Sequence, residues 1–318
     1  MKPGAWRARS AWMSAEAFLP PPREGVNASR VRAGAGPYAD VLAFLQTRFP
    51  HAPDWPSRLH AGDVLDAHGQ PVAAHAPCPP GTLLWYWRRP APEARVPFEV
   101  VLLHQCERLV VVDKPPFLAV TPGGRHLQET VLLRLQQQLG LPHLTPLHRL
   151  DRDTAGVLAF AVQPATRAAY QALWRTRAVH KVYEAIAPWR DELVFPLTAH
   201  HRLVEPGGAG FMQMQVVAGE PNAETLVERL GELDPAGVPG ERLALYRLTP
   251  LTGRKHQLRA QMAALGLPIV NDRIYPELEA DALDDYGRPL QLLARSLRFT
   301  DPLDGQARQF ESQRRWGE

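Results

Sequence analysis

The chain has 318 residues, 45% of them hydrophobic and 22% charged, with a formal net charge of +3. That balance excludes a mostly disordered protein and allows one large core, or one core with a smaller satellite. A sequence pI of about 9.0 is compatible with a nucleic-acid partner but does not demand one.

Residues 1 to 35 mix Arg, Gly, Pro and Ala without a period and read as a loose arm. Val41, Leu42, Phe44 and Leu45 then recur at helical spacing, predicting a helix over 40–49 that Pro50 ends. Around Arg58 to Val72 the pattern predicts a helical turn, a stop at Gly62, a short strand and a turn at His68-Gly69. Leu83 to Trp87 reads as a strand, and the proline-punctuated stretch 90–97 as a connector between a small domain (36–96) and a larger one (97–318). In the larger part, 100–103 and 109–112 read as apolar strands, 127–139 as an amphipathic helix stopped by Gly140, and 157–162 as a buried strand. Further on come a helix over 166–176, a strand over 181–187, two strands within 223–250 and a helix over 257–265. Strands lying side by side with helices between some of them indicate an α+β class, with a mixed, largely antiparallel central sheet flanked by helices and a small N-terminal domain.

Cys78 and Cys106 belong to no C-x-x-C pair or His cluster, which argues against structural zinc and against a disulfide framework. A reducing, cytoplasmic setting is expected. The N-terminus lacks the apolar run of a signal peptide, and no stretch approaches the ~18 to 20 apolar residues of a membrane span. The expectation is a soluble monomer with no membrane partner, no metal and no cofactor. No glycine-rich phosphate loop occurs.

The most informative segment is His148-Arg-Leu-Asp-Arg-Asp-Thr-Ala-Gly156, directly before an apolar strand. So much charge at the entrance to a buried strand is costly unless each charge is paired. A surface turn with mutually paired charges would also satisfy the pattern. The segment resembles the H-R-L-D-x-x-T-S-G signature of the RluA-type pseudouridine synthases, and the resemblance covers most of residues 98 to 302. Val110 to Gly123 is similar to the family's strand and D-K-P turn, Lys181-Val-Tyr-Glu-Ala to K-x-Y-x-A, Thr252 to Arg259 to T-G-R-x-H-Q-I-R, and Gly266 to Tyr275 to G-x-P-I-x-G-D-x-x-Y. Three positions depart: Ala155 stands for Ser, Gln261 for His and Asn271 for Gly.

The resemblance implies an enzyme that isomerises uridines in structured RNA, ribosomal or transfer, without a cofactor. Breaking and remaking a base–sugar bond requires a group that attaches transiently and leaves again, and a carboxylate can do this. By resemblance that carboxylate is Asp151, attacking either sugar or base. Arg149 would fill the space of the extruded nucleotide, Tyr183 would stack on the base, and Arg259 would pair with Asp151. Arg152, Arg254 and Lys255 are expected at phosphates, and Thr154, His148 and His256 complete the substrate-facing set. Both histidines also read as structural residues satisfied within the protein. The loop 200–210 is expected to influence the choice of RNA. Two other readings stand beside this one. One is a catalytically silent RNA-binding or ribosome-assembly protein on the same fold. The other is a glycosidase using Asp151 and Asp153 as a carboxylate pair. The segment 42–72 resembles an alpha-L-type RNA-binding domain.

Overall fold

The computed structural model describes residues 18–23, 26–88, 93–124, 126–207, 213–233, 242–279 and 284–316. The chain divides into two compact units, Met1–Pro92 and Glu93–Glu318.

In the first unit β1 (Ser29–Arg32), β2 (Val64–Leu65) and β3 (Leu83–Tyr86) form an antiparallel sheet in the order β1-β3-β2. Two short helices, α1 (Val41–Arg48) and α2 (Trp55–His60), share its core through Phe44, Leu45, Trp55 and Leu59. Asp40 caps α1 by accepting from the Ala43 amide at 2.8 Å, which satisfies one of the orphan donors at a helix start. Strand β1 lies inside the stretch expected to be a loose arm. Its polar, arginine-rich sequence hides the alternation, and pairing with the apolar β3 supplies the order. Residues 1–17 lie outside the described part.

The second unit is built on one large sheet. Its strands are β4 (Val101–Gln105), β5 (Leu109–Lys114), β6 (Thr145–Pro146), β7 (Ala155–Ala161), β8 (His180–Pro188), β9 (Leu197–Val204), β10 (Gln215–Val217), β11 (Ala223–Leu233), β12 (Leu243–Pro250), β13 (Leu292–Thr300) and β14 (Ala307–Glu311). They run β10-β9-β11-β12-β8-β13-β7-β5-β4, with β14 on β13 and β6 on β7. All pairings are antiparallel except β13 with β7. The class is mixed α and β on a largely antiparallel sheet.

Helices cover the sheet where its strands are apolar on both faces. In β5, Val110 and Val112 join the core beneath α3 (Val131–Leu139), while Leu109 and Val111 join the opposite core with Tyr170 of α4 (Pro164–Arg175). Helix α5 (Gln257–Ala264) buries Leu258 and Met262 against β8, β11 and β12. Helix α3 starts four residues later than its apolar pattern suggests. Thr130 caps it, and the amides of Leu127, Gln128 and Glu129 are taken by the Glu93 carboxylate, which holds them out of the helix. Residues 200–204, expected in a loop, belong to β9, and 208–210 lie outside the described residues. No helix among the described residues is long and apolar enough to cross a membrane.

Gly156 joins the charged segment to the sheet. Its φ is +113°, and a Cβ there would stand 2.3 Å from the Ala294 carbonyl oxygen and 2.7 Å from the Ala294 nitrogen. Only glycine lets β7 approach β13 so closely. Gly156→Ala is expected to destabilise the fold by more than about 2 kcal/mol, read as a lower urea midpoint. A midpoint equal to wild type would contradict this packing.

Candidate active site

The loop 148–154 is fixed at several points. Leu150 is buried in the core beneath α3, which anchors the loop between the exposed Arg149 and the half-buried Asp151. The Asp151 carbonyl accepts from the Thr154 amide at 3.2 Å, and Thr154 is itself buried. Lys114, fully buried at the end of β5, donates to the carbonyls of Pro115 (2.8 Å), Leu118 (2.8 Å) and Arg152 (2.7 Å). Three acceptors match the three donors of an ammonium. Burial pushes that ammonium down to about 7, with the charges of Asp153 and Asp151 opposing the shift. Lys114 therefore ties the D-K-P turn to the Asp151 loop.

The turn before α5 is organised by buried Gln257. Its oxygen accepts from the Thr252 hydroxyl (2.8 Å) and the Arg254 amide (3.0 Å), while its nitrogen donates to the Thr225 hydroxyl (3.0 Å). Gln261, one turn on, is also buried, accepts from Thr225 at 2.6 Å and donates to the Ala199 carbonyl at 2.9 Å. Its amide spans two strands there. Asn271 has φ +61°, the left-handed region where asparagine is the best substitute for glycine, and Ala155 is buried at the start of β7. The three departures are thus accommodated by local packing.

These segments enclose a cleft of about 510 Å³ lined by all ten residues singled out from the sequence: His148, Arg149, Asp151, Arg152, Thr154, Tyr183, Arg254, Lys255, His256 and Arg259. Asp151 is the single carboxylate among its lining residues, with its side chain 27% exposed. Asp153 does not line the cleft and pairs with Arg152 at 2.9 Å, so no second carboxylate faces Asp151 there. Arg259, on α5 and 2% exposed, reaches Asp151 Oδ2 at 3.4 Å. Its closer partner is Asp272, a fully buried acid that accepts from Nε at 2.8 Å and from a terminal nitrogen at 2.7 Å. Burial opposes the charge of the Arg259 guanidinium, but the hydrogen bonds to Asp272 and the charges of Asp272 and Asp151 raise its pKa overall. The expected Arg259–Asp151 pair is therefore a triad, with Asp272 as its deep member. Asp272 had a visible signal, an acid within the Gly266 to Tyr275 segment, but not a visible partner.

His256 places Nε2 3.9 Å from Asp151 Oδ1 and Nδ1 3.3 Å from the Tyr275 hydroxyl. Burial lowers its pKa, against the charge of Asp151. Tyr183, on β8, lies partly buried between two cores and faces the cleft. Burial, then the Asp151 charge, raise its phenol pKa, so it is uncharged at neutral pH. The cations differ in how far they are committed. Arg152 makes a bidentate contact to Asp284 at 2.9 and 2.7 Å, Lys255 pairs with Glu205 at 2.6 Å, and Arg254 donates to the Asn222 carbonyl at 3.3 Å. Arg152, expected at phosphate, is thus already neutralised within the protein. Among the described residues, no group of three or more His, Cys, Asp or Glu side chains is placed to hold a metal ion.

The family model for RNA pseudouridylate synthase matches residues 108–264, the stretch that carries the loop, β8 and α5. A dual-specificity RNA pseudouridine synthase, RluA of Salmonella typhimurium, is 31% identical over 220 residues, 67% of this chain and 92% of that protein. The chain belongs to the RluA-type pseudouridine synthases. An uncharacterized RNA pseudouridine synthase of Synechocystis is 30% identical over 237 residues, 74% of this chain and 79% of that one. In the solved structure of human RNA pseudouridylate synthase domain containing 1, the fold recurs with a TM-score of 0.57 at 23% identity, over 70% of this chain and 86% of that one. This RluA-type synthase is accordingly an isomerase.

His148 has its own chemistry. Nε2 accepts from the Ala159 amide at 3.2 Å, and the ring stacks on Trp174 with centroids 5.2 Å apart. Burial, then the Lys181 charge, push its pKa down to about 3. The unfolded chain therefore takes up a proton near pH 6.5 that the folded protein refuses, so stability is full above 6.5 and falls as pH drops toward 3. Between pH 6.5 and 5, where carboxylates stay ionised, a loss of about 1 to 2 kcal/mol is expected. Urea unfolding of wild type and His148→Gln measures it. A pH dependence that survives unchanged in His148→Gln would contradict the assignment.

Proposed function

We propose that this enzyme converts uridines of structured ribosomal or transfer RNA to pseudouridine, with Asp151 as the reacting carboxylate and the target nucleotide flipped into the cleft. The observation that carries this reading is the single cleft-lining carboxylate, set against a buried, permanently charged Arg259 and beside the aromatic ring of Tyr183. Carboxylate attack forms a bond that must later break, so Asp151 needs a counter-charge that holds it without tying it up. A contact of 3.4 Å, looser than the 2.7 Å contact to Asp272, meets that need. A uridine inside a helix cannot reach Asp151 until it leaves the stack. Arg149 is exposed at the rim with no hydrogen bond or ion pair among the described residues, and so is available to occupy the vacated space. Tyr183 offers a ring face to the extruded base. The names of two relatives support the choice of RNA: the Salmonella protein is called dual-specificity, and a Vibrio vulnificus relative, 32% identical over 214 residues, is called a tRNA pseudouridine synthase.

Isomerisation exchanges the hydrogen on carbon 5 of uracil with water, so RNA carrying tritium there reports each turnover. Wild type is expected to release tritium from unmodified ribosomal or transfer RNA, while Asp151→Ala releases none above background and keeps the wild-type unfolding midpoint. RNA binding without release by the wild type would instead indicate a silent binding protein.

A further inference from the structure

Lys181 lines the same cleft and engages nothing: among the described residues its ammonium has no hydrogen bond and no ion pair. It lies on β8 two residues before Tyr183, so both side chains project from one face of the strand. The ammonium stands 3.8 Å from where a Cβ on Gly253 would be, so it lies beside the Gly253 turn. Burial lowers the lysine's pKa, with no acidic group acting on it in return. A desolvated cation without a counter-charge costs stability, and no partner among the described residues offsets that cost. Arg149 is likewise unengaged but exposed at the rim, whereas Arg152, Arg254, Lys255 and Arg259 already have acceptors.

Position narrows the role. The Lys181 charge acts on the His148 ring, and both residues line the cleft. The ammonium thus lies in the cleft beside the Gly253 turn, on the strand that carries Tyr183. We propose that Lys181, with the open Gly253 turn, forms a phosphodiester subsite that holds the phosphate next to the flipped nucleotide. This assignment rests on the reading of the cleft as an RNA site. It makes Lys181, which no motif role had claimed, a substrate-binding residue. Arg152, expected at phosphate from the sequence, is paired with Asp284 in the structure.

The test measures tritium release from unmodified transfer and ribosomal RNA at 50 to 200 mM KCl, with Lys181→Met, Lys181→Arg and wild type. Each phosphate contact contributes about 0.7 to 0.9 to the slope of log affinity against log salt. Lys181→Met is expected to lower kcat/KM by about tenfold to a hundredfold at low salt, mainly through KM. Its salt slope should be flatter by about 0.7 to 0.9, and Lys181→Arg should restore most of that slope. The Tm of Lys181→Met should equal or exceed that of wild type, because an unpaired desolvated charge has been removed. With an active wild type, an unchanged salt slope in Lys181→Met, or a loss confined to kcat, overturns the subsite alone. Loss of folding in Lys181→Met overturns it too, since it would show that the charge contributes to stability. A wild type that releases no tritium from any RNA overturns the RNA reading and the subsite together.

Discussion

A buried guanidinium shared by two carboxylates organises the cleft. Arg259 would be expensive inside the protein alone, because an unpaired charge at 2% exposure forfeits its hydration. Asp272 offsets that cost with a planar, bidentate contact that fixes the orientation of the guanidinium. The remaining nitrogen is thereby aimed at Asp151, 108 positions away in sequence. One ion network thus joins α5, the segment after it and the loop before β7, and the loop and α5 both line the cleft. Asp272 also accepts from the amides of Ile274 and Tyr275, which places Tyr275 against His256 and brings His256 toward the other oxygen of Asp151.

The cations around Asp151 divide into three groups. Lys114, Arg152 and Arg259 are consumed by the protein and hold the loop and its carboxylate in place. Arg149 and Lys181 are left without acceptors, as a surface awaiting a polyanion would require. Lys255 and Arg254 are exposed and only lightly engaged, so exchange with phosphate would cost them little. A charge run in the sequence does not reveal this division, because it depends on which acids the fold brings alongside.

Much of the site was legible in the sequence because its parts are local. The loop 148–156, the segment 252–259 and the strand carrying Tyr183 each show their residue types within a few positions, and all ten residues named from them line one cleft. The less legible parts depend on long-range partners. Asp272 draws its importance from a guanidinium on α5, and Lys114 from carbonyls that include one in the Asp151 loop. Arg152 reads as a phosphate ligand until Asp284 appears beside it. In the fold, β9 and β13 are hidden because histidines and arginines interrupt their alternation, although β13 lies in the middle of the sheet. Strand β1 was hidden in the same way, being apolar only where it meets β3.

The triad is the claim on which the account of Asp151 depends, and Asp272→Asn tests it most directly. The substitution keeps the shape of the side chain but removes the charge that divides Arg259 between two acids. Single-turnover tritium release with saturating enzyme separates the chemical step from RNA binding. The account predicts a chemical step slowed by about a hundredfold, with RNA affinity close to wild type and the cleft still folded. A wild-type rate in folded Asp272→Asn would contradict it, and would mean that Arg259 needs no partner to set Asp151 in place.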